Sequence, residues 1–293
     1  MIIVEVVQSQ TVYRAIDAGI RGAFFVDKFF GKPMNEIGLE YKHADGDTPR
    51  TIIDREAGNA IVNYLREYFP KDAINEEESG QHAGHSSFRW HVDPYDGTSN
   101  ASILMDLSTV GIALEYDNEI ITGVVIDPFR HKGYAAEKGA GAYEFKYNFT
   151  PQTGDLYLSD MKKLKVSSRA APKERYAEID GLFNTKTTGP KTGFISDLAK
   201  YVQNFRMTGS NIRSAANLAS QGTDIWLIDA VGGYFDIAPG AVLIPEAGGI
   251  ITGLESENPW NGMQVAIATN NVGDHDEIRE LAKKRYAGYK GFR

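Results

Sequence analysis

Phe88-Arg-Trp-His-Val-Asp-Pro-Tyr-Asp-Gly-Thr-Ser-Asn100 decides the reading of this chain. Phe88 to Val92 reads as a buried strand. It runs into two carboxylates, Asp93 and Asp96, three positions apart. Pro94 between them lacks a backbone N–H and forbids a regular ladder, so the chain must turn. Asp96-Gly97 is a strong turn signal. Thr98, Ser99 and Asn100 are all residues favoured at a helix N-cap. The stretch is therefore a strand that ends in an acidic turn and opens a helix. N–H groups at a helix start attract an anion. Carboxylates beside them repel it unless a hard cation lies between. Mg²⁺ is held in this way, by one or two carboxylates together with substrate phosphate oxygens. Taken alone, an Asp-Gly-Thr is more often an ordinary capped turn.

Two other stretches change that balance. Ala73-Ile-Asn-Glu-Glu-Glu-Ser-Gly80 is a short apolar run ending in acids. Tyr234-Phe-Asp-Ile-Ala-Pro-Gly-Ala-Val-Leu-Ile-Pro-Glu-Ala-Gly-Gly249 carries an aromatic pair, one Asp, a small-residue helix and a Gly-Gly stop. Together the three resemble the inositol monophosphatase superfamily, which includes fructose-1,6-bisphosphatases and nucleotide 3′-phosphatases. The Glu-Glu-Ser of that family matches Glu77-Glu78-Ser79, and its Asp-Pro-x-Asp-Gly-Thr-x-Asn matches residues 93 to 100. Its third motif matches residues 235 to 249, with Phe235 in place of Trp.

Bulk properties bound the rest. The 293 residues carry a net charge of −8 without a Lys/Arg run, which argues against nucleic acid as a partner. The absence of cysteine excludes disulfides, thiol catalysis and thiolate metal sites. Met1 to Val7 is apolar but carries Glu5 and no basic flank, so it does not read as a signal peptide. No stretch reaches the length of a membrane span. The expectation is a cytoplasmic protein with no membrane partner.

Ser9 to Phe30 reads as a helix, with Val12, Ile16, Ile20 and Phe24 at spacings of four. Residues 40 to 50 read as a loop or hairpin, in which Lys42 is a candidate to point at the site. A second helix starts at Thr51-Ile-Ile-Asp54, with Asp54 as its N-cap, and stops before Pro70. Glu76, Glu77 and Glu78 repel one another, and a bound divalent cation would relieve them. Glu76 has no assigned role and is placed on the surface. His82, His85 and His91 fit no zinc spacing. Ser108 to Glu115 and Ile120 to Ile126 read as a hairpin about Asp117-Asn118. Lys146 to Asp160 is polar and reads as an insertion, the best boundary between an N-terminal half (about 1–146) and a C-terminal half (about 160–293) of one catalytic domain (1–293). Beyond it, strands at 164–166, 176–179, 205–207, 224–228, 250–252 and 264–268 alternate with helices at 192–202, 210–220, 237–247 and 275–286. Such alternation indicates a layered α/β fold with mixed sheets.

The resemblance implies more. The fold is a five-layer α-β-α-β-α sandwich, usually dimeric. Glu77, Asp93, Asp96, Asp236 and the carbonyl of Tyr95 supply oxygen ligands for two or three Mg²⁺ ions. Cations about 4 Å apart stabilise the attacking and leaving oxygens of an in-line displacement. Asp54 and Thr98 orient the attacking water, with Glu78 as a further acid of the catalytic set. Gly97, Thr98 and Ser99 face the phosphate, and Gly209, Ser210 and Asn211 add polar contacts. In inositol-preferring relatives an acid seven positions before the last metal-binding Asp accepts hydrogen bonds from ring hydroxyls. Here that position is Asp229; the alternative is that Asp229 opens the turn that follows it. Arg213 and Arg206 are candidates to reach a second phosphate, where a guanidinium fork fits; Arg213 on a solvated helix face is the alternative. The expected substrate is a small phosphate ester: inositol 1-phosphate together with sugar phosphates such as fructose 1,6-bisphosphate. A nucleotide 3′-phosphatase and a non-catalytic metabolite sensor are the alternatives.

Overall fold

The computed structural model describes residues 9–38, 40–41, 49–180, 188–229, 233–259, 265–270 and 272–288. The first layer is helical. It holds α1 (Gln10–Phe29) and α3 (Ile52–Tyr68), with the short α2 (Met34–Ile37) between them in sequence. Ser9 caps α1, accepting from the Val12 N–H at 3.4 Å. A two-stranded ladder of β1 (Glu40–Tyr41) and β2 (Pro49–Arg50) precedes α3. Lys42 lies outside the described residues.

An eight-stranded sheet forms the second layer. Its strands are β3 (Ala73–Glu76), β4 (Gly80–His82), β5 (Phe88–Asp96), β6 (Thr109–Tyr116), β7 (Glu119–Asp127), β8 (Lys132–Glu137), β9 (Gly141–Thr150) and β10 (Asp155–Lys163). They lie in the order β10-β9-β8-β7-β6-β5-β3-β4. All neighbours are antiparallel except β3 and β5. The short helix α4 (Thr98–Ser102) leaves the end of β5. In the middle layer lie α6 (Asn211–Ala219) and α7 (Tyr234–Glu246). A five-stranded sheet follows, built from β11 (Tyr176–Ile179), β12 (Asn204–Arg206), β13 (Ile225–Asp229), β14 (Ile250–Gly253) and β15 (Val265–Thr269), in the order β12-β11-β13-β15-β14. Helices α5 (Thr188–Leu198) and α8 (Val272–Arg285) close the outer face.

Three apolar seams hold these layers. Ile16, Ile20, Ile61 and Leu65 of α1 and α3 pack on Trp90, Val92, Ile112 and Ile126 of the large sheet. Ile212, Ala215, Ile237 and Leu243 fill the space between the two sheets, against Val125, Trp226 and Ile228. Phe194, Leu198, Ile278 and Ala282 cover Ile225, Leu227 and Ile267 on the outside. The period of two along β13 thus sends Trp226 and Ile228 inward and Ile225 and Leu227 outward. The small residues of α7 let it lie against β7. A Cβ on Gly123 would sit 2.5 Å from the Pro239 carbonyl oxygen, so this approach needs glycine.

Four local expectations are corrected. Residues 146–160 are not an irregular insertion: they belong to the β9–β10 hairpin. Tyr147, Phe149, Leu156 and Leu158 alternate with polar residues and pack on the first core. Residues 164–166 form no strand, although the Val166 N–H bonds the Ala247 carbonyl at 2.9 Å. Pro94 does not end its strand. The β5–β6 register shifts between Asp93 and Asp96, and the proline sits in that bulge. The cap of α3 is Thr51; Asp54 is the third helical residue, completing a capping box.

Candidate active site

The bulge in β5 makes the site. In a regular strand Asp93 and Asp96 would face opposite sides of the sheet. The irregularity re-aims Asp96, and both acids converge with Asp236 in the first turn of α7. One carboxylate oxygen from each lies within 4.8 Å of the others, and all three residues are buried. Each acid is oriented by a donor. Asp93 Oδ1 accepts from the Tyr95 N–H at 3.0 Å. Asp96 Oδ2 accepts from Ser210 Oγ at 2.5 Å and from the Ile212 N–H at 2.7 Å, both at the start of α6. Asp236 Oδ2 faces Asn211 Nδ2 at 3.5 Å.

Burial holds the Asp93 carboxyl well above its ordinary range, and the negative charges of Glu77, Asp96 and Asp236 push it further. Burial also pushes Asp96 up to about 7 against its hydrogen bonds from Ser210 and Ile212. Glu77 adds to the field at Asp54, Asp93 and Asp96. Its own N–H bonds the Val92 carbonyl at 3.1 Å just past the end of β3, and its carboxylate is not among the three that meet within 4.8 Å. Buried like charges at this spacing are unfavourable until a cation is shared. The donors are oxygens, which suits a hard divalent ion such as Mg²⁺.

Beside the acids lies the pair expected to hold the attacking water. Thr98 Oγ1 lies 2.8 Å from Asp54 Oδ1 and 3.1 Å from the Tyr95 carbonyl oxygen. Asp54 Oδ2 accepts from both the N–H and the hydroxyl of Thr51, each at 2.6 Å. Burial pushes Asp54 up to about 6, opposed by the bonds from Thr51 and Thr98. The helix cap is thus also what fixes the carboxylate. Gly97 closes the turn with φ 87°, and a Cβ there would lie 2.8 Å from the Gly209 carbonyl oxygen. Asn100 Nδ2 donates to the Thr208 carbonyl at 2.9 Å, tying α4 to the same turn. Ser99 is exposed on α4 and Gly209 is exposed on the turn before α6.

A profile of the inositol monophosphatase family matches residues 8–287. The chain belongs to the inositol monophosphatase family. A fructose-1,6-bisphosphatase/inositol-1-monophosphatase of Thermotoga maritima is 27% identical over 234 residues, 80% of this chain and 82% of its own length. Inositol monophosphatase 1 of Solanum lycopersicum is 26% identical over 81% of this chain and 82% of its own. Nus factor SuhB of Salmonella typhimurium is 28% identical over 69% of this chain and 70% of its own. Among solved structures, the extragenic suppressor protein suhB of Bartonella henselae superposes with a TM-score of 0.82 at 24% identity, covering 94% of this chain and 99% of that one. The Thermotoga maritima IMPase gives 0.76 at 23%, covering 95% and 98%. Identities at that level speak for the fold alone. Family membership and the relatives' names support a phosphatase.

Several residues of this family member stand where the sequence did not put them. The Ser210 hydroxyl is engaged within the protein: it holds Asp96 and caps α6. Asn211 is buried against Asp236. Arg213 is buried, not on a solvated helix face, and its guanidinium is paired within the protein. Its Nε donates to the Leu107 carbonyl at 2.5 Å, and its Nη2 lies 3.0 Å from Asp127 Oδ2. Arg206 is exposed and lies over the Tyr176 ring. Glu78 lies 3.7 Å from Arg50 Nη1. Glu76 is only 1% exposed, not a surface residue. Among the described helices none is long and apolar enough to cross a membrane.

Asp229 is the largest departure. It is fully buried at the end of β13 on the outward face, 3.3 Å from Lys191 Nζ of α5 and 3.1 Å from the Tyr286 hydroxyl. It ties strand to outer helices and is not brought to the three acids. Asp229→Ala would strand a buried ammonium, a change that typically costs about 3–5 kcal/mol. The expected result is a much lower Tm. Activity that survives should fall equally on inositol 1-phosphate and on p-nitrophenyl phosphate, which has no ring hydroxyls. A selective loss on inositol 1-phosphate with an unchanged Tm would return Asp229 to the substrate.

Asp180 went unread in the sequence. It accepts from the N–H groups of Thr208 and Gly209 at 2.8 and 2.7 Å and so shapes the turn that meets Gly97. No local signal marks it, because its partners lie 28 and 29 positions away.

Proposed function

We propose that this protein is a Mg²⁺-dependent phosphomonoesterase that hydrolyses inositol 1-phosphate and related sugar phosphates, including fructose 1,6-bisphosphate. The observation that carries the reading is the convergence of the Asp93, Asp96 and Asp236 oxygens within 4.8 Å of one another. The Thermotoga maritima relative bears both activities in its name. The three aspartates, with Glu77 and the Tyr95 carbonyl, are the groups that would hold Mg²⁺. When bound, the metal supplies positive charge against phosphate and leaving-group oxygens and acidifies water.

The chain's own residues do the rest. The N–H groups of Gly97 and Thr98 face the phosphate at the start of α4. Thr98 donates its hydroxyl proton to Asp54, which leaves an oxygen lone pair to accept from the attacking water. As water adds to phosphorus, its proton passes to Thr98 Oγ1 while the Thr98 proton crosses to Asp54 Oδ1 along the hydrogen bond that joins the two oxygens at 2.8 Å. The ester oxygen departs with the bonding pair and takes a proton from solvent. The reading takes the molecule as a homodimer acting on small phosphate esters.

A second reading rests on the relatives named Nus factor SuhB: a binding protein on the same fold. A nucleotide 3′-phosphatase is the third. One panel separates them: kcat/KM for inositol 1-phosphate, fructose 1,6-bisphosphate, 3′-phosphoadenosine 5′-phosphate and p-nitrophenyl phosphate, with Mg²⁺ and with chelator. The expected result is Mg²⁺-dependent turnover of the first two above the third. No turnover of any substrate at saturating Mg²⁺ supports the binding role; preference for the third supports the nucleotidase.

A further inference from the structure

The acid that the sequence left without a role has a built niche. Glu76 ends β3, and its side chain curls under the turn that follows. Oε1 accepts from the Glu78 N–H at 3.2 Å, and Oε2 accepts from the Ser79 N–H at 2.6 Å and from the Ser79 hydroxyl. The turn it closes is the one that presents Glu77. On its far side Glu77 is pinned to β5 through the Val92 carbonyl. Glu77 therefore sits between two anchors, one strand-like and one made by a carboxylate.

Two further features converge on this carboxylate. Gly58 lies inside α3, where glycine costs roughly 1 kcal/mol relative to alanine. A Cβ there would lie 2.8 Å from Glu76 Oε1, so the helix gives up propensity to make room. From outside, Ser79 Oγ lies 2.8 Å from His82 Nε2, and His82 Nδ1 lies 2.9 Å from Arg66 Nη2. Only one assignment satisfies all three contacts: Arg66 donates to Nδ1, Nε2–H donates to Ser79, and Ser79 donates to Glu76. That order requires neutral His82, and burial together with Arg66 lowers its pKa.

The geometry points to Glu76 as a positioning residue that sets Glu77 for the metal, through the turn that it closes and the Arg66–His82–Ser79 chain that supports it. The inference rests on the reading of Glu77 as a metal ligand. Partners that orient a ligand typically carry about 10- to 100-fold in metal affinity.

The test measures Mg²⁺ binding directly, by calorimetry on the metal-stripped protein, for Glu77→Gln, Glu76→Gln and Gly58→Ala. Expected is a Kd for Mg²⁺ raised about 10-fold or more in Glu76→Gln, with kcat at saturating Mg²⁺ close to that of the parent. Gly58→Ala should raise the Kd as well, although alanine favours the helix, because its methyl displaces the carboxylate. If Glu76→Gln does not fold, Gly58→Ala decides. A Kd unchanged in both, with only the metal-free Tm moved, would make the role purely structural and overturn the proposal. A Kd unchanged in Glu77→Gln would instead remove the reading on which it rests.

Discussion

Asp93→Asn should lower kcat by at least about 10²- to 10³-fold, the scale for losing one preorganised electrostatic group, and at neutral pH it should raise the Tm of the metal-free protein. The two effects have one cause. Asp93 is buried among acids, with Glu77, Asp96 and Asp236 all adding to its pKa. Asparagine keeps the shape and an oxygen for the Tyr95 N–H, but removes one negative charge. Without metal, that charge is a cost; with metal, it is what holds the cation. The pH dependence has the same sign. Asp96 titrates near 7 when folded against 3.8 as the ordinary value, so between those values the folded state holds a proton that the unfolded chain has lost. Stability of the metal-free protein should therefore fall as pH rises from about 4 to about 7. Saturating Mg²⁺ should flatten that slope. Differential scanning calorimetry with chelator and with Mg²⁺, across pH and for both proteins, measures all of this. A metal-free Tm lowered by Asp93→Asn, or full turnover by the metal-stripped enzyme, would end the account of a cation shared among buried acids.

The order of the layers was legible because their elements carry local periods. Val12, Ile16 and Ile20 mark one helix face, and the two apolar runs about Asp117-Asn118 mark a buried hairpin. The converging acids Asp93, Asp96 and Asp236 are legible because the motifs that carry them stand in family order. What stayed hidden was set by contacts distant in sequence. Arg213 looked like an anion fork, but its partners are Leu107 and Asp127, more than eighty positions away. Asp229 is a candidate hydroxyl acceptor only through the family resemblance. Its strand parity sends it outward, and only the packing of α5 and α8 supplies Lys191 and Tyr286. Glu76 was read as solvated because neighbouring glutamates usually are. The room for it is left by Gly58 of α3, and nothing in the acidic run announces that.

Thr98→Ala and Asp54→Asn should each lower kcat by about 10²- to 10⁴-fold, the range for a positioned proton acceptor, with little change in KM. The hydroxyl and the carboxylate are joined at 2.8 Å, and neither alone completes a path for the water's proton. Thr98→Ala removes the atom that faces the water. Asp54→Asn keeps an acceptor for the Thr51 N–H but loses the group that takes the proton. Each change therefore breaks the same relay. The double variant should be little slower than the poorer single, a coupling that a thermodynamic cycle on kcat reads directly. Stability separates this from a folding defect. Asp54 also completes the capping box of α3, and because asparagine keeps an acceptor for the Thr51 N–H, any fall in Tm should be modest. A fall of that size does not lower kcat a hundredfold at a temperature where the fold persists. If the two losses multiply instead, the residues act at separate steps, and the relay through Thr98 to Asp54 is wrong.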